Sequence, residues 1–283
     1  MDVTFWGVRG SIPSPGPATV RYGGNTSCVS VRLADGEIIV IDCGTGARNL
    51  GISLLASEFG KGKGRATVLL SHAHWDHIQG FPFFGPFYVP GNHFTVVGGS
   101  HSSELLERVL ERQMAAQFFP VQSYRNMGAH IEMRAVSEDR EVRAGAARIT
   151  VHPNPHGPTE VLAYRIEADG KALVYASDVG YDAGGPPEAT LAVYRGADLL
   201  IHDCTFTPED RAQRMSRGLS SLDDAVEAAR RAQVKRLALF HYDQDYSDRD
   251  VDELVARGRR QLDERGGQVI EILGAAEGLT LAL

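Results

Sequence analysis

Ser71-His72-Ala73-His74-Trp75-Asp76-His77 follows directly on the apolar run Ala66-Thr67-Val68-Leu69-Leu70. A run of that length reads as a buried strand, so the histidines emerge where a strand ends and a loop begins. The cluster places three imidazoles and a carboxylate within six positions of a chain that has 10 histidines in 283 residues. Neutral imidazole nitrogens joined by a carboxylate suit zinc or a similar divalent ion. His72 and His74, two apart, point to one side of an extended segment, while Asp76 and His77 follow the turn and reach a second point nearby. The pattern predicts the first half of a two-metal site. A histidine-rich surface loop is the plainer alternative.

With 43% hydrophobic residues, the chain is long enough for one large core, and a single domain over 1–283 is expected. It has no run of 18 apolar residues, so no membrane span is predicted. Met1-Asp2-Val3-Thr4-Phe5-Trp6 goes straight into a strand-like pattern without a basic leader, which predicts a cytoplasmic protein. Cys28, Cys43 and Cys204 are too few and scattered for a disulfide framework, and each reads as a small core residue. A net charge of −7, from 36 acidic and 29 basic residues, argues against a broad basic face and hence against extended nucleic acid as a partner. It leaves room for a small anionic substrate, because divalent ions set the local field at such a site.

Strands are expected near 3–6, 27–33, 37–42, 66–71, 94–98, 130–136, 147–152, 160–167, 172–176, 198–202, 236–240 and 268–272, with a first helix over 47–58. Two later helices read clearly. One spans 221–232, with Leu222, Ala225, Val226 and Ala229 on one stripe and Ser220 with Asp223 as its capping box. The other spans 249–264, with Val251, Leu254, Val255 and Leu262 inward and Ser247 with Asp250 as its cap. The Gly60–Gly64 and Gly184–Pro187 stretches read as loops. These elements support a mixed, layered α/β domain.

The motif His72-x-His74-x-Asp76-His77 resembles the signature of the metallo-β-lactamase-fold hydrolases. The opening Phe5-Trp6-Gly7-Val8-Arg9-Gly10-Ser11-Ile12-Pro13 and the segment Gly23-Gly24-Asn25-Thr26-Ser27-Cys28 are similar to the branch that holds phosphodiesterases, ribonuclease Z and phosphonate-pathway cyclic phosphodiesterases. The resemblance implies a four-layer αββα sandwich with two divalent metal ions at one sheet edge, zinc first and manganese or iron as alternatives. It implies that His156 completes the first metal with His72 and His74, that His241 completes the second with Asp76 and His77, and that Asp178 bridges them. Asp76 and Asp178 are then the catalytic carboxylates. His152, inside a strand-like run, competes with His156, which lies in the Gly/Pro-rich Pro155-His156-Gly157-Pro158. Asp42, between a buried strand and a helix, is placed to orient a ligating imidazole or to cap the turn, and Gly44 and Gly46 read as requirements of that turn. His202 lies after another strand beside Asp203, whereas His93, His101 and His130 read as surface residues.

Such a site implies a hydrolase acting through a metal-bridging hydroxide, with a small phosphodiester, cyclic ones included, as the expected substrate. A carboxylic ester, thioester or lactone hydrolase on the same fold is the alternative, as is a metal-binding accessory protein with little turnover. Where ribonuclease Z carries a Gly-His-Ser-Thr-like segment, this chain reads Gly218-Leu219-Ser220-Ser221, and leucine cannot donate a proton. Tyr242 or His202 are the substitutes to consider. The chain also has no long basic insertion of the kind that grips transfer RNA, which again points away from extended nucleic acid. Phe81-Pro82-Phe83-Phe84-Gly85-Pro86-Phe87-Tyr88 and Phe118-Phe119-Pro120 read as core packing, a dimer contact or an aromatic pocket wall, and a homodimer is the default assembly.

Overall fold

The computed structural model describes residues 1–99, 103–136, 140–156, 159–182, 184–210, 218–266 and 268–283. Fourteen strands form two sheets of seven. The first runs in the order β14 (Thr280–Ala282), β1 (Asp2–Gly7), β2 (Cys28–Arg32), β3 (Ile38–Ile41), β4 (Arg65–Leu70), β5 (His93–Gly98) and β6 (His130–Ala135). The second runs β13 (Glu271–Gly274), β12 (Arg236–Phe240), β11 (Leu199–Asp203), β10 (Lys171–Ala176), β9 (Thr159–Ala168), β8 (Ala147–His156) and β7 (Glu141–Ala144). Helices α1 (Ala47–Leu55) and α3 (Ser103–Gln113) pack on the first sheet. Helices α4 (Glu188–Tyr194), α5 (Leu222–Arg231) and α6 (Asp248–Arg265) pack on the second, and the short α2 (Trp75–Ile78) carries the end of the histidine cluster. This is the αββα sandwich.

The strand periodicity explains the layering. Along β3, Ile39 and Ile41 join the core between the sheets, while Ile38 and Val40 turn to the α1 side. Along β4, Leu69 faces the inter-sheet core and Val68 and Leu70 face the helices. Central parallel strands buried on both faces need apolar residues at every position, which is why these segments read as continuous runs. The two sheets are joined near the site through main-chain carbonyls of the first: Tyr164 Oη donates to Leu70 O at 2.7 Å and Leu162 N–H donates to Ser71 O at 2.9 Å.

Two local readings shift. The capping box of α5 is formed by Ser221 and Asp224, one residue later than Ser220 and Asp223. Ser220 is held elsewhere, its N–H donating to Asp203 Oδ2 at 3.0 Å and its hydroxyl to Val179 O at 2.5 Å. The cap of α6 is Ser247 with Asp250, as read. Strand β8 continues past 152 through Pro153 and Pro155 to His156, so His156 ends a strand rather than sitting in a loop. Strand β7 pairs with residues 147–150 of β8, Val151 N–H reaches Arg140 O at 2.8 Å and Pro155 O accepts from Gly180 N–H at 3.1 Å, so Pro153 and Pro155 lie beyond the β7 ladder and their missing N–H groups break no bond of it.

Candidate metal centre

The strand order brings several carboxyl-terminal strand ends together. Ser71–His77 follows β4, Asp42 follows β3, His156 ends β8, Asp178 follows β10, Asp203 ends β11 and His241 follows β12. Crevices at such ends are where open α/β sheets bind ligands. Four of the seven non-glycine residues with positive φ among the described residues lie here: Ser11 (65°), Asp42 (60°), Asp178 (56°) and His241 (57°). Left-handed backbone at non-glycine residues is costly, and its concentration at one place marks a geometry imposed by surrounding contacts.

Two groups of metal-capable side chains result. His72, His74 and His156 form one, and Asp76, His77, Asp178 and His241 form the other, the donor atoms of each group lying within 4.8 Å of one another. His152 is not in either group; its Nε2 lies 3.2 Å from Thr190 Oγ1. His156 Nε2 lies 3.2 Å from His74 Nδ1, and its Nδ1 lies 2.9 Å from Gly218 O. Asp178 stands between the groups. Its Oδ2 is 2.9 Å from His77 Nε2 and 3.2 Å from His241 Nε2, while its Oδ1 is 3.9 Å from His156 Nε2.

The imidazoles are oriented from behind. Asp42 Oδ2 lies 2.7 Å from His77 Nδ1 and also accepts from Ser71 Oγ at 2.8 Å and Tyr175 Oη at 2.7 Å, while Asp42 Oδ1 takes the Ser71 N–H. A proton on His77 Nδ1 leaves the Nε2 lone pair aimed at the carboxylates of Asp76 and Asp178. On the other side, Thr205 Oγ1 lies 2.9 Å from His241 Nδ1 and 2.5 Å from Asp203 Oδ1. The buried Asp203 carboxyl is pushed up to about 7 by desolvation.

The donor set fits divalent cations. His72 Nε2 is buried without a hydrogen-bond partner, and His77 Nε2, though close to Asp178, is not aligned for a hydrogen bond. Burial lowers the basicity of His72 and His74, which favours the neutral imidazoles that ligate metal. Burial opposes charge on His241 too, yet Asp178 and Asp76 outweigh it and push the imidazole up to about 9. His77 is likewise raised by Asp76 and Asp178 against its burial. Two buried carboxylates call for positive charge at this point, and a divalent ion answers the same field that otherwise holds protons there.

The amino-terminal loop completes the wall. Ser11 N–H donates to Asp76 Oδ2 at 2.7 Å. A Cβ on Gly10 would lie 2.4 Å from His241 Cε1, and one on Gly44 would lie 2.3 Å from Asp76 O, so both glycines are required by close approach. Arg9 is fully buried. Its Nε donates to Gly23 O at 2.8 Å and its Nη1 to Tyr246 O at 2.6 Å and Asp243 O at 3.3 Å, pinning the loop to the segment after His241. Nothing local in the sequence marks Arg9 and Ser11 for this place, since their partners lie far along the chain.

Ser11, Ala73, His74, Trp75, Asp76, His156, Asp178, Leu219 and Gln244 surround a cleft of about 580 Å³ in front of the two groups. Tyr242 and His202 do not line it. Tyr242 Oη is directed to Leu239 O at 2.6 Å and Ala275 O at 3.1 Å, and His202, lowered to about 4 by burial, is held between Asp203 O and Tyr181 Oη. Phe81, Phe84 and Phe87 are fully buried core residues, the exposed Phe83 packs edge-on against Phe119, and none of the run lines the cleft. His93 and His130 are exposed neighbours on β5 and β6, and His101 lies outside the described residues.

Residues 37–242 match the family model described as the beta-lactamase superfamily domain. The chain belongs to this family. It aligns at 28% identity with a ribonuclease Z of Natronomonas pharaonis, over 87% of this chain and 88% of the relative. Among solved structures it is similar to the metallo-β-lactamase fold protein YhfI of Bacillus subtilis, with a TM-score of 0.72 at 21% identity, covering 99% of this chain and 98% of that one. It is also similar to the short form of human tRNase Z, with a TM-score of 0.65 at 19% identity, covering 100% of this chain and 99% of that one. The chain is thus a metal-dependent hydrolase of the metallo-β-lactamase fold, related to ribonuclease Z.

One expectation is overturned. The case against extended nucleic acid rested on a net charge of −7 and on the lack of a basic insertion, but relatives that share most of the chain are named ribonuclease Z. Net charge sums over the whole surface, whereas recognition at one cleft depends on the local field there. Among the described residues, no helix is long and apolar enough to cross a membrane.

Proposed function

We propose that this chain is a dinuclear phosphodiesterase, with His72, His74 and His156 holding one divalent ion, Asp76, His77 and His241 the other, and Asp178 shared between them. The position of Asp178, one oxygen toward each histidine group, carries the reading. Nitrogen and carboxylate donors favour zinc, with manganese or iron(II) as alternatives. Bound divalent ions supply Lewis acidity toward phosphoryl oxygens and a water acidified to near neutral pH.

The chain's own residues supply orientation. Asp42 and Thr205 hold the distal nitrogens of His77 and His241, which fixes where their proximal nitrogens point. The Ser11 N–H to Asp76 Oδ2 contact holds that carboxylate's second oxygen in register with His241. No lysine or arginine lines the cleft among the described residues, so the Ser11 hydroxyl and the Gln244 amide are the neutral donors offered to a phosphoryl oxygen. With Leu219 in the wall and Tyr242 and His202 engaged elsewhere, the chain favours a leaving alcohol that departs with little protonation.

Hydrolysis of bis(p-nitrophenyl) phosphate, assayed beside p-nitrophenyl acetate, tests the reading. Metal-dependent turnover of the phosphodiester that Asp178→Asn lowers by about 10³ is expected, as for loss of a group that stabilises developing charge. Turnover of the acetate alone would replace this reading by a carboxylic ester hydrolase, and turnover of neither by a metal-binding accessory role.

A further inference from the structure

The cleft has one feature that metal chemistry does not use. Trp75, between His74 and Asp76 at the start of α2, is 73% exposed, and its indole N–H has no hydrogen-bond partner among the described residues. Among nearby rings, Phe81, Phe84 and Phe87 are fully buried, and Phe83, 57% exposed, packs edge-on against Phe119 away from the cleft lining. Trp6, the other tryptophan, has its indole N–H bonded to Ser30 Oγ at 2.8 Å. Leaving an indole in water forfeits about 2 kcal/mol or more of burial that the neighbouring core accommodates for three phenylalanines. Exposure alone does not set Trp75 apart, since Phe118 is 76% exposed.

Its place in the cleft does. Trp75 lines the same opening as His74, Asp76, His156 and Asp178, and Leu219 supplies a second apolar residue there. The floor of the cleft is polar and ionic, and these two residues are its large apolar wall. An exposed indole face is a platform for a planar ring, and stacking of a base on an aromatic side chain is worth about 1–3 kcal/mol.

Resting on the phosphodiesterase reading, we infer that Trp75 selects substrates in which the reacting phosphate carries a nucleoside, its base stacking on the indole. The same chemistry is offered by a free nucleotide and by the end of an RNA chain. Because the platform is adjacent in sequence to two candidate metal-binding side chains, one turn presents both the stacking face and the groups that face the reacting phosphate.

The test is calorimetric binding to the metal-loaded protein of two phosphomonoesters that a phosphodiesterase does not turn over, adenosine 5′-monophosphate and ribose 5-phosphate. The nucleotide is expected to bind about tenfold tighter, which is the lower part of the stacking range. Trp75→Ala should erase that preference while Trp75→Phe keeps most of it. A preference that survives Trp75→Ala overturns the assignment. Equal binding of the two by the native protein also overturns it while leaving phosphate recognition in place, and binding of neither removes both readings. An RNA oligonucleotide ending in adenosine separates the sources. Tighter binding than the mononucleotide assigns an RNA end and equal binding a free nucleotide, and in either case loss of the base preference on Trp75→Ala supports the platform.

Discussion

Asp42 Oδ2 lies 2.7 Å from His77 Nδ1, with both side chains fully buried, although 35 positions separate them in the chain. The contact sets the tautomer of His77, and it ties the end of β3 to the end of β4. Asp42→Asn keeps the volume and removes the charge. It should weaken metal binding about 10–100-fold, the usual effect of losing such a partner. Competition with a chromophoric chelator measures this, and an unchanged affinity would mean that Asp42 is only a turn residue.

Gly10 carries a second prediction. A methyl group there would collide with the His241 imidazole, which belongs to only one of the two donor groups. Gly10→Ala should therefore lower metal content from two ions to one, sparing the group of His72, His74 and His156. Loss of both ions, or of neither, would contradict independent assembly of the two groups.

Leu219 lines the cleft, at the position where the resemblance to ribonuclease Z implied a histidine. Leu219→His should raise kcat by about 10² on a phosphodiester with an alkyl leaving group, the lower range for a positioned general acid. It should leave p-nitrophenyl leaving groups, which need no proton, almost unaffected. Equal effects on both substrates would show that the residue acts by something other than proton donation.

Away from the cleft, Asp198 offers a stability test. Its carboxylate accepts from Ala172 N–H and Lys235 Nζ, which hold it below the ordinary carboxylate range against the opposing effect of burial. A depressed value in the folded state contributes stability above the unfolded pKa of about 4 and loses it as pH falls through the folded value. Asp198→Asn should cost about 1–2 kcal/mol at neutral pH. Urea titrations should show that gap closing below about pH 4; a gap constant down to pH 3 would sink the electrostatic explanation.

The parts of this molecule legible from sequence are those whose cause is local. Strands β3, β4 and β12 announce themselves because both faces are buried, and the histidine cluster does so because its members lie within seven consecutive residues. The strand β14 does not, since Thr280–Ala282 is extended only through pairing with β1. The helix α3 buries just Leu106 and Leu110, too little apolar face to read. Prolines at 153 and 155 hid the end of β8, because only the extent of β7 shows that its ladder stops before them. Arg9, Ser11 and Thr205 escaped for the same reason: each acts on a residue more than 30 positions away. The exposure of Trp75 could not be read either, because burial is a property of the assembled fold.

The central claim is that two donor groups hold two ions across one shared carboxylate. Elemental analysis of the protein equilibrated with zinc and freed of excess measures it most directly. Two ions per chain, falling below two in Asp178→Ala, are predicted. A native protein that retains no more than one ion would contradict the account.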